Sequence, residues 1–169
     1  MPENIAKYVM LALLAASIVT DLRMGKIYNL LTVPCMLAGL TLGTIAGGLT
    51  VVADRLLGMA AVVIVVVLLS PLTKLGGGDT KLLMAVGALQ GFHFTIRAML
   101  FTGVVGGVLA LVVIARRRML KQTAANMMTN MISNAAGIST DLAMGSIVGK
   151  IPYSPAITMG VLAALALGA

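Results

Sequence analysis

Six apolar runs, at about 5–20, 29–53, 56–72, 82–96, 98–115 and 151–168, take up most of the sequence. Each approaches the ~20 residues that a membrane-spanning helix needs. The fourth is short, and Lys7 in the first must snorkel to an interface. A chain of 169 residues that is 60% hydrophobic and 10% charged cannot bury that apolar surface in a soluble fold, because surface grows too fast relative to volume at this length. The expectation is an all-α, polytopic integral membrane protein, a bundle of six transmembrane helices. Only the connection at about 116–150 is long, so residues 1–169 should form a single membrane-embedded domain.

The net charge of +7 would point to nucleic acid in a soluble protein; here basic loops beside a bilayer explain it, and no nucleic-acid partner is expected. The first, third and fifth connections hold Arg23, Lys26, Lys74, Lys81, Arg116, Arg117, Arg118, Lys121 and Lys150, whereas the other side holds Lys7, Arg55 and Arg97. The positive-inside rule then puts the N-terminus outside, the odd connections in the cytoplasm and the C-terminus outside. The first run ends in Asp21-Leu22-Arg23 without a small-residue cleavage site and reads as a retained span. A lone cysteine, Cys35, excludes an intrachain disulfide and a Cys-rich zinc site.

Small residues recur at four-residue spacing in Gly39, Gly43 and Gly47, in Gly87 and Gly91, and in Gly103 and Gly107. Such stripes let helix backbones approach closely, and packing within the bundle is the favoured reading over docking of a substrate helix. Met127, Met128, Met131 and Ile132 follow the Arg116–Lys121 cluster like one face of a helix resting on the cytoplasmic leaflet.

The acids are Glu3, Asp21, Asp54, Asp79 and Asp141. Asp54, beside Arg55, reads as a solvated turn in an outer connection. Asp21 ends the first span and Asp79 begins the fourth, which places both at the cytoplasmic boundary. Ionisable groups near bilayer depth usually face a partner or a wet cavity. Two carboxylates at one depth can share a proton, one acting as base and the other as acid. Before Asp79 stand Gly76, Gly77 and Gly78, which leave room for an approaching backbone. Non-helical chain at this depth needs protein cover or water. A glycine-rich turn followed by an N-capping aspartate explains the same residues, and both readings stay open on these grounds.

The run Gly76-Gly77-Gly78-Asp79-Thr80-Lys81 fits the pattern G-x-G-D-x-K. The stretch Asp21 to Asn29, continued by Leu31-Thr32-Val33-Pro34, resembles the D-x-[basic]-x-x-x-I-P-N segment of type IV prepilin peptidases. "KIPYSPAI", from Lys150, is similar to the segment that opens the last helix in that family. The resemblance implies an aspartic endopeptidase that removes the short basic leader from prepilins or pilin-like subunits (pseudopilin, Flp, preflagellin) at the cytoplasmic membrane face. It makes Asp21 and Asp79 the catalytic pair and Gly76, Gly78, Lys81, Arg23, Lys26 and Asn29 supporting or substrate-binding positions. Lys26, Lys81 and Lys150 carry the charge to pair with an acidic residue just past the cut. Tyr28 stands where a proline is usual. The cysteine-rich cytoplasmic segment of larger members is missing, so the chain resembles the short, peptidase-only form of tight-adherence (Flp) pilus systems, with no methyltransferase activity expected. The implied partners are prepilin signal peptides, the bilayer and a pilus or secretion machinery.

Helix dipoles divide the labour between the two acids. Asp79 begins a helix, where the dipole favours an anion by roughly 0.3–1 kcal/mol, and Lys81 pushes the same way. Asp21 ends one, where an anion is disfavoured. The expectation is that Asp79 ionises and activates water while Asp21 holds the proton, the pair titrating as a unit. Asp141, in "TDLAMG", nearly repeats the "TDLRMG" around Asp21; coincidence, or a helix cap led by Ser139 and Thr140, is favoured over a third active-site carboxylate. His93, between Phe92 and Phe94, has no second His or Cys nearby and reads as an interface anchor. No cofactor and no metal is expected, since an aspartic pair needs only water. A small transporter or channel would place its aspartates mid-span, often within an inverted repeat. A non-enzymatic secretion subunit would tolerate Asp21→Asn. A presenilin-like protease is disfavoured because no Tyr-Asp pair is present.

Overall fold

The computed structural model describes residues 2–69, 76–116 and 153–167. The Met127–Ile132 face, Asp141, Lys74, Arg117, Arg118, Lys121 and Lys150 lie outside them. Five helices and no strand occur among the described residues: α1 (Pro2–Met24), α2 (Asn29–Leu69), α3 (Gly77–Gln90), α4 (Phe92–Arg116) and α5 (Ser154–Ala166).

Local chemistry sets the ends. α1 begins with Pro2, whose missing N–H would be unpaired there anyway, and carries Glu3 in its first turn and Arg23 in its last, each matching the helix dipole. It stops at Gly25, whose φ of 60° suits glycine and whose N–H donates to the Asp21 carbonyl at 2.8 Å. The Tyr28 carbonyl then starts α2 by accepting from Leu31 and Thr32 at 3.1 and 3.4 Å, so the connection closes without the usual proline.

α2 is interrupted at Gly47 and Gly48, the latter at φ 66°. A straight helix would separate Gly39 from Arg55 by about 24 Å. Instead the Arg55 guanidinium donates to the Gly39 carbonyl, so the two arms of α2 lie back to back. The sequence expectation that Asp54 and Arg55 form an exposed turn is corrected: both are helical, and Arg55 is only 4% exposed. The turn falls where two adjacent glycines release the helix, not where the charges stand.

α3 packs against both arms and forms the centre of the described bundle. Its Leu82, Leu83, Ala85, Val86, Ala88 and Leu89 are buried against Met10 and Leu14 of α1, Val62 of α2, Phe94 and Ala98 of α4, and Ile157 and Val161 of α5. A helix apolar on all sides belongs inside a bundle. Close contact with α2 is made through glycine. A Cβ on Gly39 would lie 2.5 Å from the Ala88 carbonyl oxygen, one on Gly87 would lie 2.9 Å from the Gly58 carbonyl carbon, and one on Gly58 would lie 2.9 Å from the Gly91 carbonyl carbon. Gly103 and Gly107, the other expected stripe, have nothing within 4 Å.

Among the described residues, three helices, over Glu3–Met24, Asn29–Leu69 and Phe92–Leu109, are long and apolar enough to cross a membrane. They do not support the expected count of six spans. The second and third runs form one broken element. α3, with 14 residues, reaches only about 21 Å, and α5, with 13, only about 20 Å, each less than a hydrocarbon core of about 30 Å. α3 ends at Gly91, at φ 83°, so Arg97 sits inside α4 and not in a connection. Outward-facing Leu30, Ile45, Leu49, Leu100 and Val104 are exposed, as a lipid-facing surface requires. His93 is also exposed, with the Phe92 ring edge-on at 5.6 Å.

Candidate active site

Asp21 lies in the last turn of α1 and Asp79 in the first turn of α3. Three contacts bring those turns to one end of the bundle. Lys81 Nζ donates to Asn29 Oδ1 at 2.8 Å, tying the start of α3 to the start of α2. Gly78 packs on the connection after α1, where a Cβ would stand 3.1 Å from that of Ile27. The backbone N–H of Ser154, the first residue of α5, donates to Asp21 Oδ2 at 3.3 Å. The ends of α1, α2, α3 and α5 thus meet around two carboxylates.

The glycines before Asp79 have separate duties. Gly76 is the N-cap of α3, and its carbonyl accepts from the N–H of Thr80 at 3.2 Å. A Cβ there would press on the Asp79 carboxylate, at 3.0 Å from Oδ2. Gly78 is fixed by Ile27, whereas Gly77 faces open space. The pattern's two fixed glycines are the two at which a Cβ would crowd a neighbouring side chain. Arg23 and Lys26 are exposed at the same end, and Lys81 is also exposed.

Burial pushes the Asp79 carboxyl up to about 6; the charge of Asp21 acts in the same direction and a backbone hydrogen bond from Gly76 opposes it. The influence of Asp21 puts the two groups within electrostatic reach of each other. The rise runs against the expectation that its helix dipole makes Asp79 readily ionised. The dipole of α3 is outweighed by desolvation, and the Lys81 ammonium is engaged by Asn29. Nor is the end of α1 the only dipole at Asp21. Its carboxylate meets the N-terminal end of α5, where an anion is favoured. One carboxyl that keeps its proton toward neutral pH, beside another held by an N–H donor, is an arrangement suited to acid–base activation of water.

A model described as the type IV leader peptidase family matches residues 8–111, a stretch that includes both aspartates. The chain belongs to the type IV leader peptidase family. Neither the curated proteins nor the solved structures gave a match. Family membership agrees with the helical, apolar architecture, since these peptidases are membrane-embedded. It also agrees with the resemblance that the two aspartate segments carry in the sequence.

Three residues of structural consequence escaped sequence reasoning. Asp54 accepts the N–H of Phe92 at 3.3 Å and so caps α4 from another element. Arg55 closes the fold of α2. Ser154 binds Asp21 across 133 positions. The segment "KIPYSPAI" drew attention to the neighbourhood of Ser154, but nothing local assigns that serine a partner.

Proposed function

We propose that this leader peptidase is an aspartic endopeptidase with Asp21 and Asp79 as its catalytic pair. It removes the short basic leader from type IV prepilins or pilin-like subunits, pseudopilins, Flp pilins and preflagellins among them. The reading is supported above all by one observation: the family match spans two carboxylates that the fold gathers at a single end of the bundle. Gly76 and Gly78 keep the approach to Asp79 open, Asn29 and Lys81 hold the two helix starts together, and Arg23 and Lys26 line the same end as substrate contacts. Aspartates at one end, and not in mid-span, speak against an ion pathway.

The basic residues Arg23, Lys26 and Lys81, at the end of the bundle where the two aspartates meet, support a multi-pass protein of the inner (cytoplasmic) membrane, with its N-terminus outside and the site facing the cytoplasm. Residues 1–169 act as one peptidase domain working with a pilus or secretion machinery, without methyltransferase activity and without a cofactor. The test is co-expression with candidate prepilin-like subunits, followed by mass spectrometry of the subunit. The intact protein should yield a subunit shortened by its leader, and Asp79→Ala should leave the leader in place. Trimming by Asp79→Ala, or no trimming of any prepilin-like subunit, would overturn the proposal.

A further inference from the structure

Two buried hydroxyls flank Asp21. Ser17 precedes it by four residues on the same helical face, and Ser154 touches it; both are fully buried, and neither hydroxyl has a hydrogen-bond partner among the described residues. Ser154 also opens a helix of 13 residues, so its N–H is among the unpaired donors that concentrate positive potential at that end. The N–H points at Asp21 Oδ2.

We propose, resting on the peptidase reading above, that Ser154 is the positioning residue of the pair: its backbone N–H holds the Asp21 carboxylate as the anion that accepts a proton from water, leaving Asp79 to donate one. The chemistry balances. Asp21 takes a proton from water as the water oxygen attacks the scissile carbonyl, and Asp79 gives its proton to the carbonyl oxygen. On collapse the C–N bond breaks, the leaving amine takes the proton from Asp21, and Asp79 recovers one from the diol. The charged groups around Asp21 among the described residues are Asp79 on α3 and, following Asp21 in the chain, Arg23 and Lys26. α5 brings no charged side chain, and Lys81 is engaged by Asn29.

The experiment separates the Ser154 N–H from its hydroxyl in the full chain, reconstituted in bilayers. Ser154→Ala keeps the N–H. An amide-to-ester replacement at Ser154 removes it with little change of shape. The ester form should lose roughly tenfold or more in kcat with KM little changed, and Ser154→Ala should lose distinctly less. The acid limb of the pH profile of the ester form should move up by about one pH unit. An ester form with an unmodified profile, or an alanine form as impaired as the ester, would overturn the proposal.

A second readout needs no substrate. Carboxyl-labelled aspartate spectra, assigned through Asp→Asn variants, should show Asp21 taking up its proton at higher pH in the ester form, and an unmoved Asp21 would again overturn it. Absence of trimming by the unmodified protein would instead remove the peptidase reading, and the titration would still decide the role of Ser154.

Discussion

The guanidinium of Arg55 donates to the carbonyl of Gly39, closing a broken helix on itself far from the two aspartates. A buried hydrogen bond from a cation to a carbonyl is worth about 1.5–3 kcal/mol, and truncation removes it. Arg55→Met should therefore lower stability by roughly 2–3 kcal/mol, read from thermal unfolding in a bilayer mimetic. A change below about 0.5 kcal/mol, the range of ordinary surface substitutions, would contradict the assignment.

The glycine contacts make a paired prediction. Gly39→Val and Gly87→Val push a side chain into backbone at 2.5 and 2.9 Å and should destabilise by about 1–3 kcal/mol or more. Gly103→Ala and Gly107→Ala enter open space and should be tolerated, with a slight gain from better helix propensity. Unfolding in denaturing detergent compares the four directly.

Asp79 gives stability a pH dependence of known sign. Its carboxyl, pushed up to about 6, binds its proton more tightly in the fold than in the unfolded chain. Its contribution is complete below the ordinary carboxylate value of about 4 and is lost as pH rises through about 6. Asp79→Asn removes that slope, so its melting temperature should gain on that of the unmodified protein between pH 4 and about 6 and then run parallel. Parallel curves across the whole range would refute the shift.

Asp54 caps α4 at Phe92, although it belongs to α2. Asp54→Ala should cost about 1 kcal/mol of stability, the scale of a lost N-cap, while Asp54→Asn keeps an acceptor and should cost less. Both variants should still cleave, since this carboxylate stands apart from the end where Asp21 and Asp79 meet.

What the sequence disclosed is local. Helical character, the two aspartate segments and the glycine stripes at Gly39 and Gly87 depend on composition and short spacings, and these are legible by eye. The course of α2 was not, because a charged pair such as Asp54-Arg55 signals an exposed turn unless a buried carbonyl elsewhere receives it. The break at Gly47 and Gly48 has the weaker sequence signal and the stronger conformational one. The rise at Asp79 was hidden for a similar reason. Sequence shows only the dipole of each residue's own helix, whereas Asp21 meets the first turn of α5 and Asp79 is desolvated by neighbours from other elements.

Cleavage of a prepilin peptide by the purified protein in lipid nanodiscs, followed by mass spectrometry, bears most directly on the idea of one shared catalytic site. Asp21→Asn and Asp79→Asn should each reduce leader release by at least about 10²-fold, with Asp54→Asn close to the unmodified protein. Substantial cleavage by either Asp21→Asn or Asp79→Asn would contradict a mechanism in which the two carboxylates act on one water.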